Sequence, residues 1–210
     1  MSQRKAERPR FWIVAGPNGC GKSTCYGHGD VAGLDGSVWI INPDLLTARL
    51  QAAEELSLLD ANLAAIQRIE AWLDASISVH QTIGVETVLS TDKYRRLVEK
   101  AKAHDFEFCF VYVYVDTVET QLARIRARVA KGGHDVPEDK VRARRKRSIE
   151  QMPWFFWRAD RAWVFDNSGS EPFLVLTKVT SAGGEESGIS DDQLLEEIEV
   201  RVFGELLGGG

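Results

Sequence analysis

Short runs of apolar, β-branched and aromatic residues alternate with longer stretches of helical periodicity along the chain. The runs lie at residues 11–15, 38–42, 84–88, 107–115, 162–166 and 173–179. Strands that alternate with helices in this way are typical of a parallel sheet covered by helices on both faces. The pattern therefore predicts a three-layer α/β fold around a mostly parallel central sheet.

The stretches between these runs carry helix signals. Residues 45–80 contain neither proline nor glycine, and their apolar positions recur every three or four residues, which predicts two helices. Residues 116–119 form a capping box that opens a further helix, and Gly132-Gly133 closes it. Pro137 suits the first position of the next helix, which Pro153 is expected to interrupt.

Length and composition indicate a single globular domain over residues 1–210. The longest uninterrupted apolar run, Phe108 to Val115, is too short to cross a bilayer. No apolar stretch with a cleavage site follows the basic N-terminus, and three cysteines do not make a disulfide framework. We therefore expect a cytoplasmic protein that does not bind a membrane.

Charge is distributed unevenly around a net value of −5. Residues 124–147 are strongly basic, whereas the C-terminal part is acidic and contains a second capping box that predicts an amphipathic helix over about 190–203. A basic segment within an acidic protein favours a local anionic ligand over a nucleic-acid-binding surface. A solvated helix face is the alternative that charge alone leaves open.

Residues 16–23 read Gly-Pro-Asn-Gly-Cys-Gly-Lys-Ser and follow the apolar run at 11–15. This spacing is the signature of a loop whose backbone N–H groups bind the phosphates of a nucleoside triphosphate. Lys22 is expected to reach the β- and γ-phosphates, and Ser23 to ligate Mg²⁺. The predicted ATP-binding residues are Gly16, Pro17, Asn18, Gly19, Cys20, Gly21, Lys22, Ser23 and Thr24.

Asp44 follows the second apolar run, at the end of the sequence Ile-Asn-Pro-Asp. Ligands of open α/β sheets bind beyond the carboxyl ends of the strands, so this carboxylate is placed to meet a substrate near the γ-phosphate. There it could accept a proton from an attacking hydroxyl. The alternative is that Asp44 is only the N-cap of the following helix.

Glu86 is an acidic residue within the otherwise apolar run at 84–88. Near a phosphate-binding loop, such a carboxylate could hold Mg²⁺ directly or through water. The alternative is an exposed position on an alternating strand. We favour the metal site because a buried, unpaired carboxylate is costly.

Two basic helices joined by Gly132-Gly133 predict a mobile lid over about residues 124–150. Arginine suits a polyphosphate because its planar guanidinium donates two parallel hydrogen bonds. Arg124 and Arg128 share one helix face at a spacing of four residues, whereas Arg126 points elsewhere. We therefore expect Arg124 and Arg128 to take part in catalysis.

Five motifs together resemble the zeta-toxin family of P-loop kinases. They are AGPNGCGKST, NPD, ETVLS, RIRARVAKGGHDVPED with the basic helix after it, and FDNS, in order from about residue 11 to 168. The resemblance implies a P-loop kinase-like fold. It also implies ATP- and Mg²⁺-dependent phosphorylation of a sugar hydroxyl of a UDP-activated amino sugar, of the UDP-N-acetylglucosamine type.

On the matching positions the resemblance implies a role for each residue. Lys22 and Ser23 serve the phosphates and the metal, and Asp44 is the general base. Glu86, with Thr87 beside it, joins the metal or substrate site, and His134 belongs to the lid and its substrate contacts. The resemblance also implies a separate antitoxin protein as a possible partner.

The sequence departs from the family at three positions and leaves other functions open. Arg145 stands where an aromatic residue is common, and Ala143 replaces a commonly basic residue. Cys20 replaces a smaller residue, and it is either a reactive thiolate among the loop N–H groups or an inert spacer in the core. The other functions are a kinase for an antibiotic, a nucleoside or a polynucleotide end, and a regulatory ATPase with a protein partner.

Overall fold

The computed structural model describes residues 7–27, 31, 33–34, 38–133 and 135–179, and within these ranges it contains one six-stranded sheet. The strands are β1 Arg10–Ala15, β2 Ile40–Ile41, β3 Ile83–Thr87, β4 Glu107–Tyr114, β5 Arg161–Asp166 and β6 Phe173–Val179. Their order across the sheet is β2-β3-β1-β4-β5-β6, and every neighbouring pair is parallel except β5 with β6. The predicted α/β fold with a mostly parallel sheet is confirmed.

Six helices connect these strands in the described part of the chain. They are α1 Lys22–Gly27, α2 Pro43–Glu54, α3 Leu58–Ser78, α4 Arg95–Ala103, α5 Val118–Val129 and α6 Glu138–Arg158. The two helices predicted within residues 45–80 are therefore confirmed. Ser57 separates them, because its hydroxyl caps α3 by accepting from the Asp60 N–H at 3.2 Å. The acidic helix predicted over 190–203 lies outside the described residues.

Successive side chains of the central strands pack into two different hydrophobic cores. On one face, odd-numbered positions of β1 such as Phe11 and Ile13 pack with β4, α3, α4 and α6. On the other face, Trp12 and Val14 pack with Cys25 of α1 and other buried residues. Because successive side chains of a strand point to opposite faces, one strand serves both layers. The sheet is covered on both sides, as predicted.

The interruption expected at Pro153 is wrong, because α6 continues through this residue. Proline cannot donate the hydrogen bond to the carbonyl four residues earlier, which disfavours it inside a helix. Met152, Phe155 and Phe156 flank it and are completely buried against the sheet. Burial of these large side chains offsets the lost hydrogen bond. The C-terminal half of α6 is therefore part of the core.

Two helix starts lie one residue from their predicted places. Thr117 is the N-cap of α5, because its hydroxyl accepts from the Thr120 N–H at 3.1 Å. The Asp116 carboxylate instead accepts from the Thr120 hydroxyl at 3.1 Å. Pro137 precedes α6 as its N-cap instead of being its first residue.

Within the described ranges, no helix is long and apolar enough to cross a membrane.

Candidate phosphate-binding and acceptor site

The loop between β1 and α1 has the backbone that phosphate binding requires. Gly16, Gly19 and Gly21 have φ angles of 146°, 76° and 83°, in the region that only glycine adopts readily. A Cβ at Gly16 would lie 2.0 Å from the Val113 carbonyl oxygen of β4. The three glycines are therefore required by conformation, and at Gly16 by space as well.

Two buried amide side chains brace the loop from outside. The Asn167 Nδ2, just after β5, donates to the Cys20 carbonyl at 2.8 Å. The Gln121 Nε2, on α5, donates to the Asn18 carbonyl at 3.2 Å. The sequence motif FDNS pointed to Asn167 without giving it this role, and no motif signalled Gln121. These bonds fix carbonyl groups of the loop, so its N–H groups remain directed toward a phosphate.

Lys22 begins α1 and lies at the mouth of the loop with 9% of its surface exposed. Its Nζ donates to the carbonyl oxygens of Gly16 at 2.9 Å and Pro17 at 3.3 Å. The same Nζ lies 3.9 Å from Oε1 of Glu86. Negatively charged phosphate oxygens accept stronger hydrogen bonds than carbonyl oxygens. A bound phosphate would therefore draw the Lys22 ammonium away from the loop carbonyls.

Glu86 lies at the carboxyl end of β3 and contacts the phosphate loop. Its Oε2 accepts from the Ser23 hydroxyl at 3.1 Å and from Nδ2 of Asn42 at 3.1 Å. Half-burial and these bonds exclude the alternative of a simple exposed strand position. A hydroxyl and a carboxylate side by side next to a phosphate loop are oxygen ligands of the kind that Mg²⁺ prefers. The residues present thus fit this ion.

Asp44 is not the N-cap of α2, so the capping alternative is wrong. The cap is Asn42, whose Oδ1 accepts from the backbone N–H groups of Asp44 at 2.9 Å and Leu45 at 3.2 Å. Pro43 occupies the first helical position, where its missing N–H costs nothing. The Asp44 carboxylate is exposed and lines the cleft beside the loop. This position leaves it available to a substrate.

One cleft of about 370 Å³ brings seven of the predicted residues together. Its walls come from the phosphate loop, from α2 and α3, from the segment after β3, and from the two lid helices. The predicted residues that line it are Asn18, Gly19, Lys22, Asp44, Glu86, Thr87 and Arg128. The cleft also contains residues that sequence reasoning missed, among them Thr47, Asn62 and Tyr94. These last residues carry no motif, and only the fold places them here.

The three arginines of α5 lie in three different environments. Arg124 is half-buried and its Nη2 donates to the Gly169 carbonyl at 3.3 Å, while its Nη1 lies 3.9 Å from the position of a Cβ on Gly21. Arg128 is exposed and lines the cleft. Arg126 does not line the cleft, and its Nη2 lies 4.0 Å from Glu138. Arg124 and Arg128 thus lie near the phosphate loop and the cleft, away from Arg126.

Two neighbouring arginines of α6 differ in position: one is buried in the fold and the other lines the cleft. Arg145 is buried, and its guanidinium donates to the carbonyls of Val115 at 2.8 Å and Asp116 at 2.7 Å. Burial lowers the pKa of this guanidinium. Arg145 therefore ties α6 to the end of β4, whereas Arg144 lines the cleft. His134, predicted to bind substrate, lies outside the described residues.

The Cys20 side chain is completely buried in the core beneath the loop, so the expectation of a reactive thiolate is wrong. Desolvation raises the pKa of this thiol more than Lys22 lowers it. Its alternative as a small spacer is confirmed. Cys25 and Cys109 are also buried, and burial raises the pKa of Cys109 to about 12.

The fold and the loop together define a nucleotide-binding domain of the P-loop kinase-like class. Residues 11–151 match the AAA domain family, and the chain belongs to this family. An uncharacterized protein of Haemophilus influenzae is 29% identical over 145 residues, which are 65% of this chain and 98% of that protein. The match covers the phosphate loop, α5 and most of α6.

Two solved structures share the fold at low sequence identity. A chain of the AvrRxo1-ORF1:-ORF2 complex with ATP superposes with a TM-score of 0.67 and 16% identity over 92% of this chain. This chain spans 64% of that chain's length. A chain of the PezAT toxin-antitoxin system of Streptococcus pneumoniae gives a TM-score of 0.58 at 15% identity, with coverage of 96% of this chain and 88% of that one.

Proposed function

We propose that this protein is an ATP- and Mg²⁺-dependent kinase that phosphorylates a sugar hydroxyl of a UDP-activated amino sugar such as UDP-N-acetylglucosamine. The observation that carries the proposal is the position of Asp44. Its carboxylate is exposed in the same cleft as Lys22 and Glu86, while Asn42 caps the helix in its place. A purely regulatory nucleotide-binding domain needs no carboxylate facing an acceptor.

Residues of the cleft, the phosphate loop and α5 each have a separate role in phosphoryl transfer. The Asp44 carboxylate accepts the proton of the acceptor hydroxyl. The hydroxyl oxygen then bonds to the γ-phosphorus while the bond from the γ-phosphorus to the β-phosphate oxygen breaks. Lys22 and the loop N–H groups hold the phosphates, and Ser23 with Glu86 would hold Mg²⁺. When bound, this ion supplies neutralisation of the phosphate charge. Arg124 and Arg128 stabilise charge on the transferred group.

Three considerations support a UDP-sugar as the acceptor. The five motifs resemble the zeta-toxin family along most of the described chain. The PezAT structure, whose name describes a toxin-antitoxin system, shares the fold over 96% of this chain. The cleft wall also combines polar side chains such as Asn62 with apolar ones such as Ile66, as recognition of a sugar requires.

The proposal is tested by incubating the protein with γ-labelled ATP, Mg²⁺ and separate acceptors. These are UDP-N-acetylglucosamine, other UDP-sugars, nucleosides, an aminoglycoside and an oligonucleotide with a 5′-hydroxyl. We expect label on a UDP-sugar, and Asp44→Asn should lower turnover by roughly 10²–10⁴-fold without changing ATP affinity. Thermal stability should stay unchanged, since Asn42 provides the cap.

The other outcomes assign the alternative functions. Label on the nucleoside, the aminoglycoside or the oligonucleotide alone would identify a kinase for a different hydroxyl. Release of labelled phosphate with no labelled acceptor, equally in wild type and Asp44→Asn, would identify a regulatory ATPase.

We also propose a separate antitoxin protein as partner. The names of both structures above describe two proteins together. One is a toxin-antitoxin system, and the other is AvrRxo1-ORF1 with AvrRxo1-ORF2. Induced expression in a bacterial host should stop growth for the wild type but not for Lys22→Ala at equal protein level. Equal growth of both strains would contradict a toxic activity that an antitoxin must restrain.

A further inference from the structure

Tyr94 is a buried residue of the cleft wall that no motif and no role in phosphate binding explains. It lies between β3 and α4, directly before the first residue of α4, with 1% of its surface exposed. Tyr94 lines the same cleft as Asp44 and Lys22. The hydroxyl is buried and has no hydrogen-bond partner among the described residues. Burial raises the pKa of this phenol, which therefore keeps its proton as a donor.

A second buried tyrosine of the same core shows what a purely structural hydroxyl looks like. Tyr112 on β4 is also completely buried, but its hydroxyl bonds to the Ser148 hydroxyl at 3.0 Å. Buried polar groups in folded proteins are almost always hydrogen-bonded, and each exception calls for an explanation. Phenylalanine would fill the space of Tyr94 without leaving a polar atom unpaired. The fold alone therefore gives no reason for the Tyr94 hydroxyl.

Two other polar residues of the cleft wall, Thr47 and Asn62, hydrogen-bond to each other and to the backbone. The Thr47 hydroxyl donates to Oδ1 of Asn62 at 3.3 Å, and Nδ2 of Asn62 donates to the Leu58 carbonyl at 2.8 Å. The Lys93 ammonium lies 4.6 Å from the centre of the Tyr94 ring. Lys93 has a long, flexible side chain and also lines the cleft. The Lys93 ammonium therefore lies over the Tyr94 ring, and we expect a ligand to displace it.

We propose that Tyr94 is a specificity-determining residue of the acceptor site, whose phenolic O–H donates a hydrogen bond to an uncharged carbonyl or hydroxyl oxygen of the acceptor. The inference rests on the proposed kinase function. Entry of the acceptor moves the Lys93 side chain aside and supplies the partner that the fold withholds. Because a site built to donate to an oxygen discriminates against analogues without that oxygen, Tyr94 selects the acceptor and not the nucleotide.

The test compares Tyr94→Phe with Tyr112→Phe, which remove the same atom from two buried sites. UDP-N-acetylglucosamine is the acceptor, or whichever acceptor of the panel the wild type phosphorylates. We expect Tyr94→Phe to raise KM for the acceptor by about 3- to 10-fold, the worth of one hydrogen bond, with kcat and KM for ATP nearly unchanged. Tyr112→Phe should leave all three constants unchanged.

Urea unfolding of the same two variants supplies a readout independent of activity. Tyr94→Phe should keep or raise the urea midpoint, whereas Tyr112→Phe should lower it because it breaks the bond to Ser148. An unchanged acceptor KM in Tyr94→Phe, or a midpoint lowered as far as in Tyr112→Phe, overturns the role of Tyr94 while the kinase function stands. Failure of the wild type to phosphorylate any acceptor overturns the kinase function, and the inference with it.

Discussion

The phosphate loop and the lid hold their functional groups in opposite ways. In the loop, glycine conformation, a neighbouring carbonyl and the buried amides of Asn167 and Gln121 all fix one backbone arrangement. In the predicted lid, residues 124–147, most basic side chains are exposed, and Arg142 pairs with Glu138 of the same helix at 2.7 Å. Exposed ion pairs are worth little and exchange readily. Buried contacts thus fix the phosphate loop, whereas most basic side chains of α5 and α6 lie at the surface.

The largest expected effect follows from removing the charged group of the loop. Lys22→Ala should lower phosphoryl transfer by at least on the order of 10³-fold, because Lys22 stabilises charge on the transferred group and not the core. Circular dichroism should show the wild-type fold. The exposed lid residue Lys140 gives the matched control, and Lys140→Ala should keep nearly full activity. Activity of Lys22→Ala within a few-fold of wild type would remove the case for a kinase.

Substitutions in α5 should give graded losses. We expect Arg124→Ala and Arg128→Ala to lower kcat/KM by roughly 10- to 100-fold, since both lie near the loop or the cleft. Arg126→Ala should change it by less than about threefold, because Arg126 faces Glu138 at the surface. Equal losses in all three variants, measured by steady-state kinetics, would contradict an ordered lid face.

Loosening the loop should weaken nucleotide binding without removing a catalytic group. Asn167→Ala breaks the bond to the Cys20 carbonyl and should raise the Kd for ATP by roughly 3- to 30-fold. Gln121→Ala should act in the same direction through Asn18. Thr177→Val in β6 removes a comparable bond to the Ala162 carbonyl of β5 and serves as control in titration calorimetry. Unchanged ATP affinity in Asn167→Ala would show that the loop keeps its shape without the brace.

The smallest effect concerns Cys20. Its buried thiol should react with iodoacetamide no faster than Cys25 or Cys109, and ATP with Mg²⁺ should give it no specific protection. Because folding raises the thiol pKa, the free energy of unfolding should fall as pH rises above about 8.5, the value of an exposed thiol. Mass-spectrometric mapping of the labelled peptides checks the first expectation. Rapid labelling of Cys20 that ATP suppresses would place its thiol at the phosphates.

Local signals in the sequence were sufficient for the sheet and the phosphate loop. The strand positions follow from short apolar runs along the chain. The backbone of the loop follows from its glycines, Gly16, Gly19 and Gly21. Pro153 misled the prediction because burial of its neighbours outweighs a local preference. Asp44 was ambiguous because two nearby residues, Asn42 and Asp44, can both cap a helix, and the backbone decides between them.

The sequence by itself determined the fold class, the nucleotide loop and the residues that carry charge toward it. These features depend on short-range periodicity and on residue types at fixed spacing. The tertiary structure alone decided that Asn167 and Gln121 brace the loop and that Cys20 faces the core. It also decided that Tyr94 lines the cleft and that its hydroxyl has no hydrogen-bond partner among the described residues. Such relations join residues far apart in the chain, and packing rather than local preference sets them.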